Sequence, residues 1–154
     1  MTDRNKRLWA SWLIAGREIK VYFGGDSGYF HGYAEIGEKY GPIDVAALPI
    51  GAFRPVWFMG PMHMSPRQAI IAMDDLKAKN FIPIHWGTFD LADDLLDEPP
   101  RMLKSEIARL GMDKNQFWLM QHGETRRGLR NDKIIAKDSS VPEKSVNLKK
   151  SPSE

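Results

Sequence analysis

The chain has 154 residues, 42% of them hydrophobic, with a formal net charge of +2. Those values fit one domain with a real core and exclude an intrinsically disordered protein. No apolar run approaches the roughly 20 residues of a membrane-spanning helix, and the start, MTDRNKRLWASWLIAG, lacks the long apolar stretch of a secretion signal. There is no cysteine, so disulfides and thiolate zinc sites are excluded. From Leu129 onward six Lys/Arg face four Asp/Glu, which leaves the body balanced at sixteen of each sign. A balanced body carries no basic stripe for nucleic acid. The expected organisation is a folded part over residues 1–128 and a solvated, disordered Lys/Ser/Pro-rich tail over 129–154.

In chain order, RLWASWLIA (7–15) and EIKVYF (18–23) predict a β-hairpin around Gly16-Arg17. YAEIGEKY (33–40) predicts a short helix, stopped by Gly41-Pro42. IDVAALPI (43–50) is nearly all apolar and predicts a fully buried strand. GAFRPVWFMGPMHM, from Gly51, predicts irregular backbone. SPRQAIIAMDDLKAKN predicts a helix with Ser65 as N-cap, Pro66 at the first helical position and Gln68 completing a capping box. Asn80 is the expected left-handed C-cap. FIPIHW (81–86) predicts another strand, PRMLKSEIARLG a helix ending at Gly111, and FWLMQHG (117–123) a last strand. This β-β-α-β-α-β-α-β order implies an α/β or α+β fold with a mixed sheet. The helices are too few to cover both faces of that sheet.

Three residues at strand or helix ends could carry chemistry. In VYFGGDSGY, glycines allow a tight turn that aims Asp26 away from a strand end, where open α/β sheets bind ligands. The same residues also suit an ordinary turn. His85 ends the FIPI run at the matching position of another strand; it reads as a hydrogen-bonded core histidine or as a ligand. His63 sits just before a helix N-terminus, a place that lowers an imidazole pKa. His31 and His122 fall in plain turns. Asp26, His63 and His85 together are the donor types of a metallohydrolase, but three donors are the minimum for one catalytic zinc.

GGDSGYF, EIGEKYGPIDVAALPIGAF, PMHMSPRQAI and IHWGTFDLADDLLDEPP, in this order between about Asn5 and Gly123, resemble the metallo-β-lactamase-fold family that contains the N-acylphosphatidylethanolamine-hydrolysing phospholipase D. The resemblance implies an αββα sandwich of two similar halves with two zinc ions in the crevice between them. It implies that Asp26 bridges both zincs, that His85 binds the second, and that His63 is a catalytic histidine near a substrate phosphate or leaving oxygen. It places Trp57, Phe58 and the acidic loop Asp90–Glu98 near the entrance for a phospholipid. The family's His-x-His-x-Asp-His cluster is not in this sequence, so the chain is expected to match the second half of the sandwich. Such a chain is expected to be inactive alone, and to self-associate through its exposed sheet face or to be complemented by a separate N-terminal half. The implied activity is zinc-dependent hydrolysis of a phosphodiester in N-acylphosphatidylethanolamine-type lipids. A lactonase or other phosphodiesterase of the same fold, and a non-catalytic interaction module, are the alternatives. The expected location is cytoplasmic or peripheral to a membrane.

Overall fold

A computed structural model describes residues 10–126 and, in backbone only, 129–130 and 133–134. The chain forms two compact units, Met1–Gln121 and His122–Glu154. The first holds a four-stranded mixed sheet. Strand β1 (Trp12–Ala15) pairs antiparallel with β2 (Lys20–Phe23). The hairpin turn is closed by the Gly16 amide donating to the Ile19 carbonyl at 2.8 Å. Strands β3 (Ile43–Pro49) and β4 (Ala78–Ile84) continue the sheet in parallel, in the spatial order β1-β2-β3-β4. β3 is central, which explains its nearly uninterrupted apolar sequence.

Four α-helices accompany the sheet among the described residues, and all but the shortest contribute to the core. Helix α1 (Gly32–Tyr40) follows β2; the four-residue α2 (Val56–Met59) and the longer α3 (Pro66–Asp75) lie between β3 and β4; α4 (Glu98–Leu110) follows β4. The α3 start is the capping box that the sequence predicts, with the Gln68 amide donating to the Ser65 hydroxyl and the Ser65 amide to the Gln68 side chain. α4 has Pro99 and Pro100 in its first turn, where amide hydrogens have no helical partner, and ends at Gly111 with φ 65°. Tyr22, Ala46, Leu48 and Phe81 of the sheet are buried with Ala69, Ile70, Ala72, Met73 and Leu76 of the α3 segment and Leu103 and Ile107 of α4. Each such large side chain contributes about 1.5–3 kcal/mol by leaving water.

The opposite sheet face is also apolar. Its rows across the strands are Trp12–Phe23–Ala47–Ile82 and Ile14–Val21–Val45–Asn80. Trp12 and Ile14 are 65% and 64% exposed, so this face is open at the β1 edge among the described residues.

Four expectations need correction. Helix α3 stops at Asp75, and Lys77, not Asn80, takes the left-handed backbone (φ 53°). Asn80 lies inside β4, where its side-chain amide donates to the Asp44 carbonyl at 2.9 Å. That cross-strand bond satisfies a buried polar side chain, and no local signal reveals it. FWLMQHG is not a strand: among the described residues it shows one isolated bridge, Phe81 to Phe117, supported by the Trp118 amide donating to the Phe81 carbonyl at 2.8 Å. The stretch from Gly51 is not wholly irregular, because it contains α2. β1 begins at Trp12, and the residues 7–9 assigned to it lie outside the described residues.

In the second unit, β5 (Leu129–Arg130) pairs antiparallel with β6 (Lys133–Ile134). The expectation of a disordered tail otherwise falls on residues outside the description. Among the described residues no helix is long and apolar enough to cross a membrane.

Candidate metal centre

The site lies where β2, β3 and β4 end. β2 runs into Gly24-Gly25, and Gly25 adopts φ 61°, a conformation open to glycine at little cost. The chain then turns and presents Asp26, whose side chain is 70% exposed. Two strands away, β4 ends at Ile84, and His85 takes φ 58°. A left-handed histidine stores strain of about 1–3 kcal/mol, a feature that gathers at functional sites. This backbone turns the ring out of the strand's alternation and toward Asp26. The His85 Nε2 to Asp26 Oδ1 distance is 3.2 Å.

Backbone contacts fix both loops. A Cβ on Gly51, just past β3, would collide with the His85 carbonyl oxygen, so only glycine lets the two strand ends approach this closely. A Cβ on Gly28 would lie 2.6 Å from the carbonyl oxygens of Gly60 and Pro61. The Asp26 loop is therefore pressed on the segment that leads to His63.

His63 comes into the same place. Its amide donates to the Met59 carbonyl at 2.9 Å, and its ring centroid lies 4.9 Å from that of His85. Burial, and then the neighbouring His85, hold its pKa below the usual imidazole range, against the opposing pull of Asp26 and Asp94. Among the described residues the buried Nδ1 of His63 has no hydrogen-bond partner.

Trp57 and Phe58 sit on α2, in the segment before His63, and are 83% and 56% exposed. Their rings contact each other, with centroids 5.7 Å apart. They form an apolar projection.

Two features escape a reading of the sequence. Asp94 is buried and accepts from the Ala52 amide at 3.0 Å and the Arg54 amide at 3.1 Å, tying the acidic loop to the segment after β3. Nothing in DLADDLLDEPP marks it among its neighbouring carboxylates. The second is a tyrosine cluster behind Asp26, in which the Tyr33 hydroxyl meets Ser27 Oγ at 2.7 Å.

The Asp26–His85 spacing suits a shared cation. Two donors at ordinary zinc bond lengths in tetrahedral geometry stand about 3.3 Å apart. The carboxylate and the imidazole are both zinc donors, and the unpartnered Nδ1 of His63 adds a polar atom close by. The number of donors is short. Among the described residues no group of three or more His, Asp or Glu converges as a metal cage. Asp26 and His85 are two adjacent donors, fewer than a metal cage needs.

Comparison with known proteins identifies the family. The family model described as a beta-lactamase superfamily domain matches residues 1–86. An "N-acyl-phosphatidylethanolamine-hydrolyzing phospholipase D 1" of Caenorhabditis elegans is 38% identical over 127 residues, 80% of this chain and 36% of that protein. A metal-dependent hydrolase of Pyrobaculum islandicum is 37% identical over 80% of this chain and 48% of its own length. The solved structure of a metallo hydrolase from Ignicoccus hospitalis superposes with a TM-score of 0.55 at 29% identity, over 74% of this chain and 43% of that one. The chain thus spans between a third and a half of these relatives. Half a metallo-β-lactamase sandwich explains both the single mixed sheet and its apolar open face. The chain belongs to the beta-lactamase superfamily domain family.

Proposed function

We propose that the chain forms part of the catalytic domain of a zinc-dependent hydrolase, with Asp26 and His85 as metal donors. The observation that carries this reading is the 3.2 Å approach of Asp26 Oδ1 to His85 Nε2 at the ends of two parallel strands. Zinc held there would supply Lewis acidity toward a phosphoryl oxygen. His63, beside His85, would aid departure of the alcohol by first accepting a proton from the attacking water and then passing it to the leaving oxygen. The 38% identity with the nematode enzyme supports a phosphodiester of the N-acylphosphatidylethanolamine class as substrate. The exposed Trp57 and Phe58 suit its acyl chains, because apolar surface gains by leaving water.

The remaining donors come from outside the described residues, on a polypeptide segment that covers the open sheet face at Trp12, Ile14 and Phe23. Two donors do not make a catalytic site, which needs three protein ligands. The test compares N-acylphosphatidylethanolamine hydrolysis by the purified chain alone and with a polypeptide carrying His-x-His-x-Asp-His. The expected outcome is turnover with zinc only in the mixture, lost in Asp26→Ala and His85→Ala. Turnover by the chain alone, or activity indifferent to those two substitutions, would refute it.

A further inference from the structure

Asp26 stands on a glycine-flanked turn and is largely exposed, so its own side chain is weakly held. An exposed carboxylate that must meet one imbedded imidazole loses conformational freedom, at a cost that something nearby must offset. The residues immediately after it are held firmly. The Ser27 hydroxyl donates to the Gly28 carbonyl at 2.8 Å. That uses its single hydrogen, so Tyr33 is the donor in the 2.7 Å bond between the two hydroxyls. Tyr33 is completely buried, and burial above all pushes its pKa up to about 12, so the donor is always protonated. Its ring is fixed from three sides: stacked on Tyr29 at 6.1 Å, edge-on to Tyr22 at 6.1 Å, and tilted against Phe30 at 4.7 Å.

Tyr29 completes the arrangement. Its hydroxyl donates to Asp75 Oδ2 at 2.6 Å, at the far end of α3. The other end of α3 begins at Pro66, three residues after His63. The Asp26 turn is therefore fastened to the helix that follows His63, through Tyr29, and to α1, through Ser27 and Tyr33. Gly28 seats the same turn on Gly60 and Pro61.

We propose that Tyr33 and Ser27 are positioning residues that hold the Asp26 carboxylate against His85 through their hydroxyl–hydroxyl bond. The assignment rests on the reading of Asp26 as a metal donor, but its test needs no metal. Tyr33→Phe deletes one hydroxyl and keeps the ring in place. Ser27→Ala deletes the other side of the bond at an accessible turn. Two readouts are taken on the full-length chain at pH 8. One is amide hydrogen exchange at residues 25–28. The other is the ring-nitrogen NMR signal of His85, whose Nε2 lies 3.2 Å from Asp26 Oδ1.

In both variants exchange at 25–28 is expected to quicken about five-fold or more, as the loss of one hydrogen bond implies. The His85 ring signal is expected to move toward its position in Asp26→Ala. In a Tyr33→Phe/Asp26→Ala double variant it should move no further. A purely structural role would lower the melting temperature and leave the His85 signal in place. That result overturns the proposal, as does an unchanged signal in Asp26→Ala. Failure of the metal-donor reading is seen separately, as zinc uptake that is the same in wild type and Asp26→Ala.

Discussion

Asp26 and His85 lie 59 positions apart in sequence, yet their side chains meet at 3.2 Å. The parallel register of β2, β3 and β4 brings the two strand ends to one edge. A left-handed backbone at His85 does the final aiming. That conformation is costly for a branched side chain. His85→Val is expected to destabilise the fold by about 1–3 kcal/mol, whereas His85→Asn should cost less because asparagine tolerates the conformation. Urea unfolding of both variants checks this, and equal losses would contradict it.

The loop after β3 is organised by one carboxylate. Asp94→Ala removes the acceptor of the Ala52 and Arg54 amides. A buried donor left without a partner costs about 1–3 kcal/mol. The expected result is a loss of at least that size in chemical denaturation. Substitution of the exposed Asp93, close by in the same loop, should change stability by less than about 0.5 kcal/mol.

Two glycines separate the fold from the site. At Gly37, in α1, a Cβ would collide with the Asp75 carbonyl at the end of α3. Gly37→Ala should lower stability by about 1–3 kcal/mol, as overpacking does, while the folded protein binds zinc as before. Gly28→Ala forces the Asp26 turn off Gly60 and Pro61 and should weaken both stability and zinc binding. Thermal melts paired with zinc titrations distinguish the two. Equal effects on zinc binding would contradict the placement of Asp26.

Acid sensitivity has an assigned source. Burial tends to raise the Asp44 carboxyl, but the Lys20 amide and the Lys79 ammonium bond to it and hold its pKa below the usual range. A carboxyl depressed in the folded state stabilises above its unfolded pKa, about 3.9, and that stability is lost as pH falls through the folded value. Asp44→Asn should lower stability at pH 7 and flatten the fall in stability below about pH 4. A parallel acid limb in wild type and variant would refute the assignment.

The parts of the fold governed by local chemistry were legible in the sequence. The Ser65–Gln68 capping box, the Gly111 stop and the buried run of β3 follow from adjacent residues. What was misread depends on distant partners. Asn80 looks like a helix end because asparagine favours left-handed backbone, yet its side chain bonds across the sheet to Asp44. Phe117 begins a strand-like run, but it meets β4 at one bridge only. At the site, residue types and family resemblance pointed to Asp26, His63 and His85, and the fold gathers them. The left-handed turn at His85, the role of Asp94 and the Tyr33–Ser27 bond have no local signature.

We propose Asp26 and His85 as two donors of one incomplete zinc site. Isothermal titration of zinc into the purified full-length chain, beside Asp26→Ala and His85→Ala, tests it most directly. Weak binding by the wild type, lost in both variants, is expected. Tight stoichiometric binding by the chain alone, or binding that survives either substitution unchanged, would contradict it.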